Sequence, residues 1–204
     1  MKSSKVFYIL LLSICLSCSG DRTITILYEN GSVMEEYLIG PDSTKIGSYL
    51  RFAENGDTLE KSSYNMGKLD GERILYYDNN RPEIMETYNM DSLHGTYKVF
   101  YEDGSLKLEM NYNDNQLNDV VKKYFQSGTL MEEVTYINNV EEGPFIEYYE
   151  NGQKKWEGTY SNGDNEIGLL TNFSESGDTI RKMMCDDRYI CRTIYENSKY
   201  KSSE

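Results

Sequence analysis

One turn sequence recurs at a near-constant interval, and that interval restricts this chain more than any other feature. The segments LYENG (27–31), FAENG (52–56), YYDNN (76–80), FYEDG (100–104), YFQSG (124–128), YYENG (148–152) and FSESG (173–177) end on Gly31, Gly56, Asn80, Gly104, Gly128, Gly152 and Gly177. The period is about 24 residues, with one extra residue in the first and last intervals. Asn80 is the informative exception. Asn is the side chain that best tolerates the left-handed backbone for which Gly is otherwise chosen, so the column calls for positive φ at the end of a turn. Eight residues on stand Tyr64, Tyr88, Tyr112, Tyr136 and Tyr160, with Ile39 in the first copy and Cys185 in the last. Seven residues after the tyrosines come Gly71, Gly95, Asp119 and Gly143; Gly47 and Gly168 follow one residue later in the two longer copies. This column reads as a second turn.

Between these positions lie short runs such as GPFIEYY (143–149) and KKWEGTY (154–160), in which aromatic and β-branched residues alternate with charged ones and no helical period persists. Runs of this kind closed by NG, DG or SG read as β-hairpins. The expected fold is all-β: an elongated array of about seven β-hairpin repeats forming one long twisted antiparallel sheet, each copy touching only its neighbours. Adjacent aromatics such as Tyr76/Tyr77 and Tyr148/Tyr149 should point to opposite faces.

The pattern Tyr-Tyr-Glu-Asn-Gly (148–152), with Tyr160 eight residues later and a Gly beyond, resembles MORN-type repeats. It is more similar still to their bacterial variant, whose period matches the one read here and many members of which are labelled antitoxin-like. The resemblance covers residues 23–194 and is most specific in the middle copies. It implies a scaffold or binding surface, not an enzyme.

Ahead of the repeats, Lys2 and Lys5 precede an apolar run from Val6 to Leu16, which is shorter than the roughly 20 residues needed to span a bilayer. Residues 1–17 therefore read as a secretory signal, with 18–22 as a tether, 23–194 as the array and 195–204 as a polar tail. Ser17 before Cys18 resembles a bacterial lipobox, although Cys15 stands where such signals usually carry Leu. That resemblance implies lipidation of Cys18, a membrane anchor and a place in the bacterial cell envelope, either periplasmic or surface-exposed. Cys185 and Cys191 remain, six residues apart; a local disulfide fits an oxidising compartment, and a metal or redox site is the alternative.

Charge narrows the function. The chain holds 34 Asp plus Glu against 21 Lys plus Arg, a net charge of −13, and loss of Lys2 and Lys5 with the signal deepens this to −15. Such a chain repels phosphate backbones, so nucleic acid is not an expected partner. His94 is the only His, and no Ser–His–Asp set, metal motif or phosphate-binding Gly loop appears. No enzymatic activity, cofactor or metal is expected. Candidate binding residues are the column Tyr64, Tyr88, Tyr112, Tyr136 and Tyr160, which could grip a peptide or stack sugars, and Trp156, the single Trp. Their other reading is structural packing. The expected protein is a monomeric, lipid-anchored scaffold that docks another protein, a basic one among the candidates. An antitoxin-like neutraliser of a basic toxin and a glycan-binding surface are the alternatives.

Overall fold

Two kinds of turn, alternating along the chain, build the structure. The computed structural model describes residues 20–200 and the backbone of Leu11–Ser13. Cys18, the rest of the expected signal and residues 201–204 lie outside the described residues. The chain divides into two compact units, Met1–Gly104 and Ser105–Glu204. The first contains β1 (Leu11–Ser13), β2 (Arg22–Leu27), β3 (Val33–Ile39), β4 (Lys45–Phe52), β5 (Thr58–Asn65), β6 (Lys68–Tyr76), β7 (Pro82–Asn89) and β8 (Ser92–Phe100). The second contains β9 (Leu106–Asn113), β10 (Gln116–Tyr124), β11 (Leu130–Ile137), β12 (Val140–Tyr148), β13 (Lys154–Tyr160), β14 (Gly168–Phe173), β15 (Thr179–Cys185) and β16 (Cys191–Glu196). Within each unit every strand pairs antiparallel with its sequence neighbours. The fold is all-β; the single helical element among the described residues is a 3₁₀ turn, Ser198–Tyr200.

The repeated turn column behaves as its residues demand. Gly128 N–H donates to Phe125 O (2.9 Å) and Phe125 N–H donates to Thr129 O (2.9 Å), a three-residue loop ending on a residue at positive φ. Gly128 has φ 84° and Asn80, its one non-Gly counterpart, φ 59°.

The second column is a correction. Gly71, Gly95, Asp119 and Gly143 lie inside β6, β8, β10 and β12, at breaks in register, and are β-bulges rather than turns. The turns lie earlier, at Met66-Gly67, Met90-Asp91, Asp114-Asn115 and Asn138-Asn139. Both residues of each pair have positive φ, and the flanking residues Asn65↔Lys68, Asn89↔Ser92, Asn113↔Gln116 and Ile137↔Val140 are paired. Two consecutive left-handed residues make the type I′ turn, whose twist matches that of the flanking strands.

One row of side chains forms the centre of each unit. In the first unit it runs Tyr37, Tyr49, Ser62, Arg73, Glu86 and Tyr97 across β3 to β8, and is largely polar. In the second it runs Val121, Val134, Phe145 and Gly158, then Leu170 and Met183, and is apolar. Val134, Phe145, Leu170 and Cys185 form its buried cluster.

The chain past the array bends back rather than trailing. Asn197 donates its N–H to Ile180 O (2.9 Å), Lys199 Nζ lies 2.8 Å from Asp178, and Tyr200 Oη donates to Asp178 Oδ2 (2.8 Å). Residues 195–200, expected as the start of a polar tail, thus complete β16 and cap the loop 174–178.

Gly158 is where packing is tightest. A Cβ there would sit 2.7 Å from both Leu170 Cδ1 and Phe145 Cε1. Gly158→Ala should therefore cost about 1–3 kcal/mol in urea unfolding, the usual penalty for overpacking. An unchanged midpoint would contradict this account of the cluster.

Candidate functional site

The tyrosine column cannot be a stack of rings. Each copy contributes two strands, so same-column tyrosines occupy every second strand, roughly 9.6 Å apart at normal strand spacing and out of ring contact. The intervening strand supplies the partner instead. Tyr64 meets Tyr49 edge-on at 5.8 Å between centroids, and Tyr49 meets Tyr37 at 6.0 Å. Tyr160 stacks on Phe145 at 4.1 Å. All five column tyrosines are half-buried.

In the first unit a cation sits on this aromatic surface. Lys45 Nζ lies 4.5, 4.3 and 5.2 Å from the ring centroids of Tyr37, Tyr49 and Tyr64, well within cation–π range. Beside it runs an ion-pair network. Glu60 accepts from Arg51 Nε (3.3 Å), Arg73 Nε (2.8 Å) and Ser62 Oγ (2.8 Å). Glu86 accepts from Arg73 Nη1 (3.1 Å) and Tyr88 Oη (3.2 Å). Burial pushes the Glu60 carboxyl up, but the Arg73 and Ser62 hydrogen bonds with the two guanidinium charges outweigh it and hold it below the usual carboxylate range. Arg73 thus compensates two nearly buried carboxylates, a role composition alone did not suggest.

In the second unit the tyrosines face carboxylates. Tyr136 Oη donates to Glu141 Oε1 (2.5 Å). Burial, then the Glu141 hydrogen bond and charge, raises the Tyr136 phenol. Burial, followed by the charges of Glu132, Glu141, Glu147 and Glu166, raises Tyr160 to about 12. Trp156 is half-buried against the Val134–Phe145 cluster, with the Arg181 guanidinium 5.9 Å from its ring.

The sulfurs of Cys185 and Cys191 are bonded (1.96 Å) across β15 and β16. Glu166 lies close by, with Oε2 3.9 Å from Cys191 Sγ. Sulfurs bonded to each other are not thiolate ligands, so this trio does not form a metal site. Glu133 and Glu157 are ion-paired: Lys122 lies 3.7 Å from Glu133, and Lys154 2.8 Å from Glu157. An open depression of about 330 Å³ in the first unit is lined by Tyr76, Tyr77, Asp78, Asn79, Glu83 and Glu102.

Several residues join one copy to the next and went unnoticed in the sequence. Tyr28, Tyr77 and Tyr149 each donate the phenol to a backbone carbonyl one copy on, at Phe52 (2.8 Å), Phe100 (2.7 Å) and Phe173 (2.9 Å). Asn79 and Asn151 side chains donate to Glu102 O (3.0 Å) and Glu175 O (2.9 Å) in the same way. At the other turns Asp91 and Asn139 each close two bonds with the preceding copy: their N–H groups donate to Leu69 O and Leu117 O, and their side chains accept from Leu69 N–H and Leu117 N–H. The column before the bulge includes His94. Its members Asn118 and Glu142 accept from the N–H groups of Asn138 (3.0 Å) and Asn162 (2.9 Å). The signal was the recurrence of Asp or Asn at these positions in several of the copies.

This geometry defines a hairpin-repeat protein with a half-buried aromatic and acidic surface. Three consecutive segments, 93–114, 120–138 and 141–162, match the family described as MORN repeat variant. The first and last of them start two periods of the turn column apart. No curated protein sequence matches the chain. Among the described residues no helix is long and apolar enough to cross a membrane.

Because burial and carboxylates keep Tyr160 neutral in the fold, the stability this contributes is complete below pH 10 and is lost as pH rises through about 12. Tyr136 shifts in the same direction. Alkaline titration followed by far-UV circular dichroism should show stability falling above pH 10, and Tyr160→Phe should flatten that fall. An identical alkaline profile for the variant would refute it.

Proposed function

We propose that this protein is a non-enzymatic interaction scaffold of the cell envelope, anchored through lipid on Cys18, whose acidic, tyrosine-bearing surface docks another protein. The observation that carries this reading is the exposure of the repeat itself: among the described residues no large side chain is fully buried, and neither face of the hairpin sheets is covered by a second layer. A sheet left open on both faces presents aromatic rings and carboxylates in a regular array, the kind of surface partners recognise. The match to MORN repeat variants supports a repeat scaffold, and the Ser17-Cys18 junction supports the anchor. A second reading, neutralisation of a basic toxin, is favoured by the net charge of −15 left once residues 1–17 are removed. Both readings need a basic or mixed-charge partner and differ in what that partner does.

Photo-crosslinking residues placed at Trp156 and at Tyr88 in the full chain, expressed in its own cells, test the reading. Discrete protein adducts are expected, together with palmitate labelling that Cys18→Ser abolishes. A toxin among the adducts would favour the second reading. Absence of adducts from both positions would overturn docking, and absence of label on the wild type would overturn the anchor.

A further inference from the structure

Two residues break the turn chemistry that the other copies follow. Met66 and Met90 open type I′ turns of the first unit at φ 48° and 49°, where the second unit carries Asp114, Asn138 and Asn162. Asp and Asn tolerate a left-handed backbone, and Met does not share that tolerance. Packing does not account for the choice either. Met66 is 70% exposed, more than any other large apolar residue among those described, and Met90 is 37% exposed. A strained, exposed apolar tip costs the isolated protein stability and solubility, so it points to a contact outside the chain.

The two tips share an edge with the point where the chain enters the array. A Cβ on Gly20 would lie 3.6 Å from Pro41 Cγ, in the loop 40–44. A Cβ on Gly67 would lie 3.6 Å from Thr44 of that loop, and Gly67 N–H donates to Lys45 O (2.8 Å). One turn further on, Asp91 N–H donates to Leu69 O (2.8 Å). Gly20, the loop 40–44, Met66 and Met90 thus follow one another along one edge of the first unit. The other edge differs in charge. Its loops 28–32, 53–57, 77–81 and 101–104 carry Glu29, Glu54, Asp57, Asp78, Glu102 and Asp103 against Arg81.

Cys18 stands two residues before Gly20, a reach of at most about 7 Å. A lipid on Cys18 therefore draws the bilayer surface to the edge that bears Met66 and Met90. The acidic edge is the one that anionic headgroups repel. Met is flexible, apolar and polarisable, which suits an irregular acyl boundary. The tether makes its insertion intramolecular, so two modest apolar contacts are enough to fix an orientation.

We propose that the turns Met66-Gly67 and Met90-Asp91 of the lipid-anchored protein enter the bilayer surface and hold the first unit edge-on, with its acidic loops outward. The inference rests on the anchor at Cys18 and adds which residues meet lipid. Both faces of the unit, with Tyr64 and Tyr88, stay open to a docked protein.

The test uses the lipidated full chain in phosphatidylcholine vesicles that carry doxyl-labelled acyl chains. One fluorophore is placed on Lys68→Cys, beside the Met66 turn, or on Asp78→Cys at the acidic edge, both exposed positions. Cys185 and Cys191 are bonded to each other and Cys18 carries the lipid, so only the introduced thiol reacts. The fluorophore at Lys68 should be quenched several-fold more than the one at Asp78. Met66→Asn/Met90→Asn copies the second unit's turn chemistry and should fold at least as well. It should abolish the difference while the protein stays on the vesicles. Equal quenching at the two edges, or undiminished quenching in the Asn pair, would overturn the proposal. Photo-crosslinks from Met66 to protein and not to lipid in cells would overturn it too, and assign the tips to a protein partner. A wild type that takes no palmitate and leaves the vesicles would remove the anchor and the tips together. Vesicle-bound protein with an unquenched Lys68 fluorophore would remove the tips and leave the anchor standing.

Discussion

The hydrogen bond from one turn to the next is the interaction on which this structure depends. An open sheet buries too little apolar surface to hold its hairpins by packing alone, and an isolated hairpin is marginal in water. The sequence answers at the turns. Asp91 and Asn139 bond the preceding copy through backbone and side chain together. The phenols of Tyr28, Tyr77 and Tyr149 reach the following copy at the opposite loops. These bonds close only if the next turn lies one period away. Insertions are therefore confined to the longer loops at 40–44 and 161–166, where the two longer copies gain their extra residue.

With the period set by turns, the central row is free to vary. The first unit fills it with Arg73 between Glu60 and Glu86, the second with Val134, Phe145 and Leu170 around Gly158. A nearly buried ion network contributes little net stability over an apolar one, yet removing one partner strands a charge. The two units thus reach the same hairpin geometry through different chemistry. The difference extends to the tyrosine face, where Lys45 covers the rings in the first unit and Glu141 and Glu166 flank them in the second. The surface available to a partner changes along the repeat while the backbone does not.

The fold was legible because positive φ leaves a strong mark in sequence. Gly, and in one copy Asn, recurring at the same point of every copy revealed the hairpin count and the first turn. The second turn was misplaced because Gly at positive φ serves turns and bulges alike: Gly71 sits in a bulge, while the turn falls on Met66-Gly67 and, a copy later, on Met90-Asp91. Met has no particular liking for a left-handed backbone, so nothing local marked those positions. Of the candidate site, the tyrosine column was visible, but its contacts were not. Ring partners come from the intervening strand, and register across a hairpin with a bulge does not follow from counting residues. For the same reason the placement of Lys45 over three rings, and the opposed placement of Glu141 and Glu166, emerged only from the pairing.

Amide hydrogen exchange at the hairpin tips tests the central claim most directly. The N–H groups of Gly67, Asp91, Asn139 and Gly163 point to carbonyls of the preceding copy, at Lys45, Leu69, Leu117 and Glu141. In a free hairpin such tip amides would exchange with water at rates close to those of an unstructured peptide. If turn-to-turn bonds hold the copies together, these four amides exchange as slowly as those in the middle of their strands. Exchange at free-peptide rates, with the strand amides still protected, would contradict the account.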